Sequence, residues 1–358
     1  MGGTVYFVVG MDDGSITSFC ANEMGAAGLG LGGGIEGFKD RGFWKSEMEQ
    51  KMQRDGEVGE RRLVKSDSSV CNWGFKLPGM VTGTVVIENG ERNLEVIVSS
   101  LSNAFAHQRL SKTADFIPRT RRPAGSYFVR SNILDQRPIL SMTCSPDKRT
   151  IFYGLEKGVA FRQVDNQAHI REAVTGLRTD IFAVYCLPLD APSHTGFLAG
   201  GRDGKVRLFD VRANPQTCAP IVLNVGSVRH IGGLSGTGLV IRCVDSCARY
   251  DLRMSQDSKA PDAKSYAASM FRVPDGDGRK GGFDIYHEVG LVAVEGGGVG
   301  TGHGGSGSNE KAVYLFDIDS SDLVAKFPPG QVRLLKPEGG YGWPAVVISG
   351  ERGVVVYE

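Results

Sequence analysis

Two stretches carry the same order of residue types, Phe209-Asp210-Val211-Arg212 and Tyr250-Asp251-Leu252-Arg253. Each reads aromatic, Asp, aliphatic, Arg. A guanidinium presents N–H donors in a planar fork that fits a carboxylate or a set of carbonyls. Behind it, Asp210 and Asp251 are placed to hold the geometry of their boxes. The chemistry implied is recognition through charge-assisted hydrogen bonds, with no bond made or broken. A third copy, Phe316-Asp317-Ile318-Asp319, ends in Asp, so Arg is not a general requirement of the repeated unit. The plainer reading is that each Arg pairs with a nearby carboxylate and braces the end of a strand.

Other chemistries find less support. The six histidines, His107, His169, His194, His230, His287 and His303, lie far apart, and none shares a motif with a nucleophile. GxSxG, HExxH and paired CxxC motifs are absent. Cys243 and Cys247 are four residues apart, which on one strand would put both on one face. With no His nearby in sequence, buried small hydrophobes is the reading for the cysteines, and a zinc site from Cys218 and His230 would need the fold to bring them together. The tract Gly296 to Ser308 resembles a phosphate loop in composition only. A phosphate loop needs Gly-Lys-Ser/Thr opening a helix, whereas here Asn309-Glu310-Lys311 leads into the strand pattern Ala312 to Phe316. It reads as a lengthened hairpin turn. Arg119, Arg121 and Arg122 sit beside Pro118 and Pro123 without interleaved aromatics, so a solvated loop is preferred to a nucleic-acid contact.

The elements that must position the two boxes recur along the chain. Phe197 to Asp210 reads as a β-hairpin, two short strands around the turn dipeptide Asp203-Gly204. Phe7 to Cys20 aligns with it without a gap, and Ile151 to Val164 keeps two glycines at the same separation. Val346 to Tyr357, Leu291 to Asp317, Leu239 to Leu252 and Leu94 to Arg109 complete seven candidate hairpins. Their spacing fits repeats of four strands each. The expected fold is all-β, a seven-bladed β-propeller forming a single domain over residues 1–358. The chain ends inside a hairpin, so the last blade is expected to be completed by Val5 to Val9 or a neighbouring segment.

Residues 21–70 interrupt this pattern with the glycine tract AAGLGLGGGIEG, followed by Trp44, Met48 and Met52 at helical spacing. They read as a flexible insertion after the first hairpin, containing a short amphipathic helix. Composition excludes several classes. With 358 residues and a formal net charge of +1, no global field recruits nucleic acid or an anionic membrane. Seven scattered cysteines fit a reducing compartment. The chain enters a strand pattern at Val5 without a leader-like segment, and no stretch approaches a membrane span.

The repeats resemble WD repeats, with Phe or Tyr in place of the signature tryptophan and without the Gly-His dipeptide. The two successive aromatic-Asp-x-Arg boxes are similar to those of the WD-repeat substrate receptors of the cullin-4 ubiquitin ligase, most convincingly over Ile139 to Glu358. The resemblance implies a non-catalytic adaptor without cofactor or metal, nuclear or cytoplasmic, acting as one copy within a larger complex. Its partners would be the propeller adaptor of the ligase and a protein client. Phe209, Asp210, Arg212, Tyr250, Asp251 and Arg253 would form the docking site for the ligase adaptor. A scaffold subunit in a chromatin or RNA-processing complex, with no ligase link, is the alternative. A propeller hydrolase lacks the convergent His and carboxylate groups such a site needs.

Overall fold

The computed structural model describes residues 4–10, 15–22, 74–77, 79–89, 93–102, 104–111, 127–130, 137–163, 177–187, 196–210, 220–222, 225–234, 237–254, 267–273, 281–297, 311–335, 345–350 and 353–357. The expected amphipathic helix around Trp44 lies outside these residues, as does nearly all of the insertion. Among the described residues the chain is almost entirely β. Helix among these described residues is limited to a 3-10 turn at Leu252–Met254, and none of it is long and apolar enough to cross a membrane.

The strands form seven antiparallel sheets in chain order. Sheet one holds β1 (Thr4–Gly10), β2 (Ser15–Asn22) and β3 (Gly74–Lys76). Sheet two holds β4 (Val81–Asn89), β5 (Asn93–Ser100), β6 (Ala104–Ser111) and β7 (Tyr127–Arg130). Sheet three holds β8 (Ile139–Cys144), β9 (Thr150–Leu155) and β10 (Gly158–Gln163). Sheet four runs from β11 (Ile181–Cys186) through β12 (Gly196–Gly201) and β13 (Val206–Asp210) to β14 (Pro220–Val222). Sheet five runs from β15 (Val228–Gly233) through β16 (Gly238–Cys243) and β17 (Cys247–Asp251) to β18 (Ser269–Phe271). Sheet six holds β19 (Phe283–Tyr286), β20 (Leu291–Gly296), β21 (Ala312–Asp317) and β22 (Leu323–Phe327). Sheet seven holds β23 (Gln331–Leu335), β24 (Ala345–Gly350) and β25 (Gly353–Tyr357).

Each of the seven hairpins read from the sequence is a paired hairpin here: β1–β2, β5–β6, β9–β10, β12–β13, β16–β17, β20–β21 and β24–β25. In β12–β13 the turn closes with Gly201 N–H donating to the Lys205 carbonyl at 3.0 Å, and Gly204 takes φ 71°. That conformation is open to glycine at little cost. The tract after Gly296 is the connection of the β20–β21 hairpin, since Gly296 pairs with Ala312.

Two expectations need correcting. Cys243 and Cys247 do not share a strand: Cys243 ends β16 and Cys247 opens β17, with a turn closed by Cys243 N–H to the Ser246 carbonyl at 2.7 Å. A four-residue separation can span a tight hairpin turn as readily as it runs along one strand. The segment Val5 to Val9 does not complete the last sheet. It pairs with β2 from Thr4↔Asn22 to Gly10↔Ile16, and among the described residues sheet seven has three strands. β2 itself continues to Asn22, so residues 21 and 22 belong to the sheet and not to the insertion.

The apolar core is divided among the junctions between consecutive sheets. Val85, Ile87 and Ile97 of sheet two meet Ile139, Ile151 and Tyr153 of sheet three. Phe152 and Phe161 of sheet three meet Phe197 and Phe209 of sheet four. Leu198 and Val206 meet Ile231, Leu239 and Tyr250 of sheet five. Val240 and Cys247 meet Val292 and Phe316 of sheet six, and Leu291 and Leu315 meet Val332 and Ile348 of sheet seven. A unit that covers its apolar face only with the next unit is what a repeat array requires. The first strands also pack in series, β4 on β8, β8 on β11, β11 on β15, β15 on β19 and β19 on β23.

The close approach is made at glycines. A Cβ on Gly154 would lie 2.5 Å from the Ile181 carbonyl oxygen of the next sheet and would collide with the Ser141 hydroxyl. Because backbone cannot swing aside, Gly154→Ala is expected to cost about 3 kcal/mol, at the upper end for overpacking. Chemical denaturation of wild type and variant measures it, and an unchanged midpoint would refute the tight junction. The equivalent positions of sheets five and six are Arg242 and Glu295, and Arg242 Nη2 lies 3.5 Å from the Glu295 carbonyl.

Candidate functional site

The site is built from the ends of β13 and β17. Asp210 opposes Gly196 and Asp251 opposes Gly238 at the last pairing of each hairpin. The two aspartates therefore hold the same register position in adjacent sheets, at the ends remote from the hairpin turns. The aromatic residue before each is turned inward: Phe209 is 3% exposed and Tyr250 is 7% exposed. Phe209 stacks on Phe197 at 5.1 Å between ring centroids, and Phe197 stacks on Phe152 of sheet three at 4.5 Å. Tyr250 belongs to the junction of sheets four and five. Both aromatics pack into the core and anchor the strand end.

Asp251 organises the second box. Its Oδ1 accepts from the Arg253 backbone N–H at 2.9 Å and from the Thr237 hydroxyl at 3.0 Å. Both carboxylate oxygens face Arg253 Nε, at 3.0 and 3.1 Å, and Oδ2 accepts from Nη2 at 2.6 Å. Hydrogen bonds from the Arg253 side chain and backbone hold the Asp251 carboxyl well below the usual carboxylate range, and the same pairing raises Arg253. The Arg253 side chain is nevertheless 76% exposed. Of its five N–H groups, Nε–H and one on Nη2 are engaged, which leaves three directed away from Asp251. Arg253 is thus both braced and presented.

Asp317 plays the same local part in sheet six, with Oδ1 accepting from the backbone N–H groups of Asp319 at 2.9 Å and Ser320 at 2.8 Å. The absence of Arg from this copy now has a cause. Asp319 pairs with Arg249 of β17 at 3.1 Å, joining sheets six and five on the exposed face. Arg249 and Thr237 were not singled out from the sequence. The signal was an Asp at the fourth position of one box and an outward-facing Arg one residue before Tyr250 in the neighbouring repeat. Arg212 lies outside the described residues, so its part in the docking site is a matter for proposal.

Metal ligation was the other chemistry open to the His, Cys and acidic residues among the described residues. No group of three His, Cys, Asp or Glu could hold a metal ion there. Cys144, Cys186, Cys243 and Cys247 are free thiols, and burial pushes Cys186, Cys243 and Cys247 up to about 12. A thiol that stays protonated is a poor nucleophile and a poor metal ligand.

No family model matches the sequence, and no curated protein matches it. Among solved structures the chain is similar to the crystal structure of the computationally designed Ika8 protein, at 12% sequence identity over 98% of this chain and 92% of that chain, with a TM-score of 0.47.

Proposed function

We propose that the chain is a seven-bladed WD-repeat β-propeller serving as a non-catalytic adaptor, the substrate receptor of a cullin-4 RING ubiquitin ligase in the nucleus, the cytoplasm or both. The propeller reading is supported by the recurring antiparallel meanders, by the core divided among consecutive sheet junctions and by the first strands packed in series. The docking reading rests on one observation above all. Arg253 is held in a fixed orientation by Asp251 while most of its side chain and three of its N–H donors remain exposed. A pre-oriented guanidinium loses less conformational freedom when a partner carboxylate or carbonyl arrives. Arg212, following Asp210 in the adjacent repeat, would supply the second contact.

Affinity purification of the tagged chain from cell extract, read by mass spectrometry, tests the assignment. Recovery of the ligase's propeller adaptor and cullin-4 in stoichiometric amounts is expected. Their absence, with subunits of a chromatin or RNA-processing complex in their place, would overturn it.

A further inference from the structure

The first strands of sheets two to five share an irregularity. Register shifts between Val81 and Gly83, Ile139 and Ser141, Ile181 and Ala183, and Val228 and His230 leave Thr82, Leu140, Phe182 and Arg229 as bulged residues. A bulge removes its residue from the ladder and re-aims its side chain. Because β4, β8, β11 and β15 pack one on the next, these four positions form a row across four sheets. Two adjacent members touch: the Arg229 guanidinium carbon lies 4.4 Å from the centroid of the Phe182 ring.

Among the described residues Arg229 has no countercharge in contact with it. Its Nε is buried without a hydrogen-bond partner, as is the hydroxyl of Ser227 two residues before it. Burial lowers Arg229 from its usual value, and the like charge of Arg202 adds to it. Among the described residues the Arg202 side chain, in the β12–β13 turn, has one long ionic contact, to Asp180 at 3.7 Å, and is 72% exposed. Asp203 of the same turn is engaged by Arg207, whose Nη1 lies 3.2 Å from Oδ1. At this end of sheets four and five the Arg202 and Arg229 guanidinium groups stand with Asp180, loosely held by Arg202, and with Asp245 of the β16–β17 turn beside Gly226, while the ring of Phe182 lies against Arg229.

We propose that Arg229, Arg202 and Phe182 form a binding site for an acidic peptide segment, with an aspartate or glutamate carboxylate on the two arginines and a neighbouring apolar side chain on Phe182 and Leu140. Arginine already stacked on an aromatic ring is oriented to receive a carboxylate in two-pronged fashion. Two cations next to two apolar residues fit a short peptide better than a nucleic acid, which needs an extended basic track and successive stacking platforms. The site lies at the strand ends opposite to Arg253. Val228 opposes Cys243 beside the β16–β17 turn, whereas Asp251 opposes Gly238 at the far end. It stands independently of the ligase reading, and a partner here leaves the Arg253 face free.

The test uses the full chain and a set of fluorescein-labelled octapeptides with Leu, Phe or Met before a Glu-Glu pair. Each is matched by its Gln-Gln counterpart, at fixed ionic strength, with anisotropy as the readout. The acidic peptides are expected to bind about tenfold or more tightly than the amides, and Arg229→Gln to bring them to the amide level with unchanged melting temperature. Phe182→Leu is expected to weaken the Phe-bearing peptide most. Equal binding of acid and amide peptides, no binding of either, or unchanged binding by a folded Arg229→Gln variant would overturn the proposal. Complete displacement by equimolar inorganic phosphate would also do so, since it marks a simple anion site. Where Arg229→Gln does not fold, the acid–amide comparison on the wild-type chain and the Arg202→Gln variant decide.

Discussion

Replacing Arg212 and Arg253 together by glutamate is expected to abolish binding of the proposed partner, the propeller adaptor of the ligase, while the melting temperature stays close to that of the wild type. The reasoning starts from Arg253, whose guanidinium is oriented by Asp251 and exposes three donors. Reversal removes those donors and sets a carboxylate against the acceptors they served, so loss of both arginines should lower affinity on the order of a thousandfold or more. A role as a strand-end brace makes the opposite forecast, a lowered melting temperature without selective loss of a partner. Exposure of the pair argues against a large stabilising share, because solvent screens exposed ion pairs. Asp251 also keeps Thr237 and the Arg253 backbone N–H as partners when the side chain changes. Titration calorimetry with purified adaptor, alongside a thermal melt of the same protein, separates the two. Full binding by a folded double variant would remove these arginines from the interface. Arg253→Ala controls for the introduced negative charge.

The pH behaviour of this box follows from the same geometry. The Asp251 carboxyl is depressed in the folded chain, so its contribution is complete above the unfolded carboxylate value of about 4 and disappears only as pH falls through the lower folded value. Between neutral and mildly acidic pH, Asp251 stays charged and Arg253 stays oriented.

The second large effect is expected in the core. Phe197→Ala should destabilise the chain by about 4 kcal/mol, within the range for removing a buried aromatic ring. Phe197 is 1% exposed and is the middle ring of the stack Phe152–Phe197–Phe209. Its removal leaves a void at the junction of sheets three and four, where backbone pairing on both sides resists collapse. Phe209 loses the ring that fixes it, one residue before Asp210, so loosening should reach the first box and leave the second intact. Denaturant unfolding measures the stability change. Tryptic cleavage after Arg212 compared with Arg253 reports the local effect. A loss below about 1 kcal/mol would mean that the stack does not join the two sheets.

Much of the architecture was legible because hairpins are local. The turn glycines and the alternation around Asp203-Gly204 depend on neighbours in sequence, and so the seven hairpins could be placed without knowing what they pack against. Leu239 to Leu252 was recognisable without turn glycines because its closing aromatic-Asp pairs with the opposite end of the hairpin, Leu239↔Tyr250 and Gly238↔Asp251. The outer strands were harder. β14 and β18 have three residues each and carry no periodicity to read. The expected closure by Val5 to Val9 failed because a strand pattern does not say which edge it pairs with.

By itself, the sequence determined the recurrence: the number of hairpins and the place of Asp210 and Asp251 at their ends. Both follow from interactions within about fifteen residues, where spacing dictates geometry, whereas the burial of Phe209 and Tyr250, which the resemblance assigns to the docking site, came from packing between sheets. Only the tertiary structure decided which charges meet. Arg249 finds Asp319 of the next sheet, Arg253 folds back on its own Asp251, and Arg229 comes to rest on Phe182 with its Nε unpartnered. A charge acts on whatever lies within a few ångströms, and across a sheet junction that neighbour can be tens of residues away in the chain.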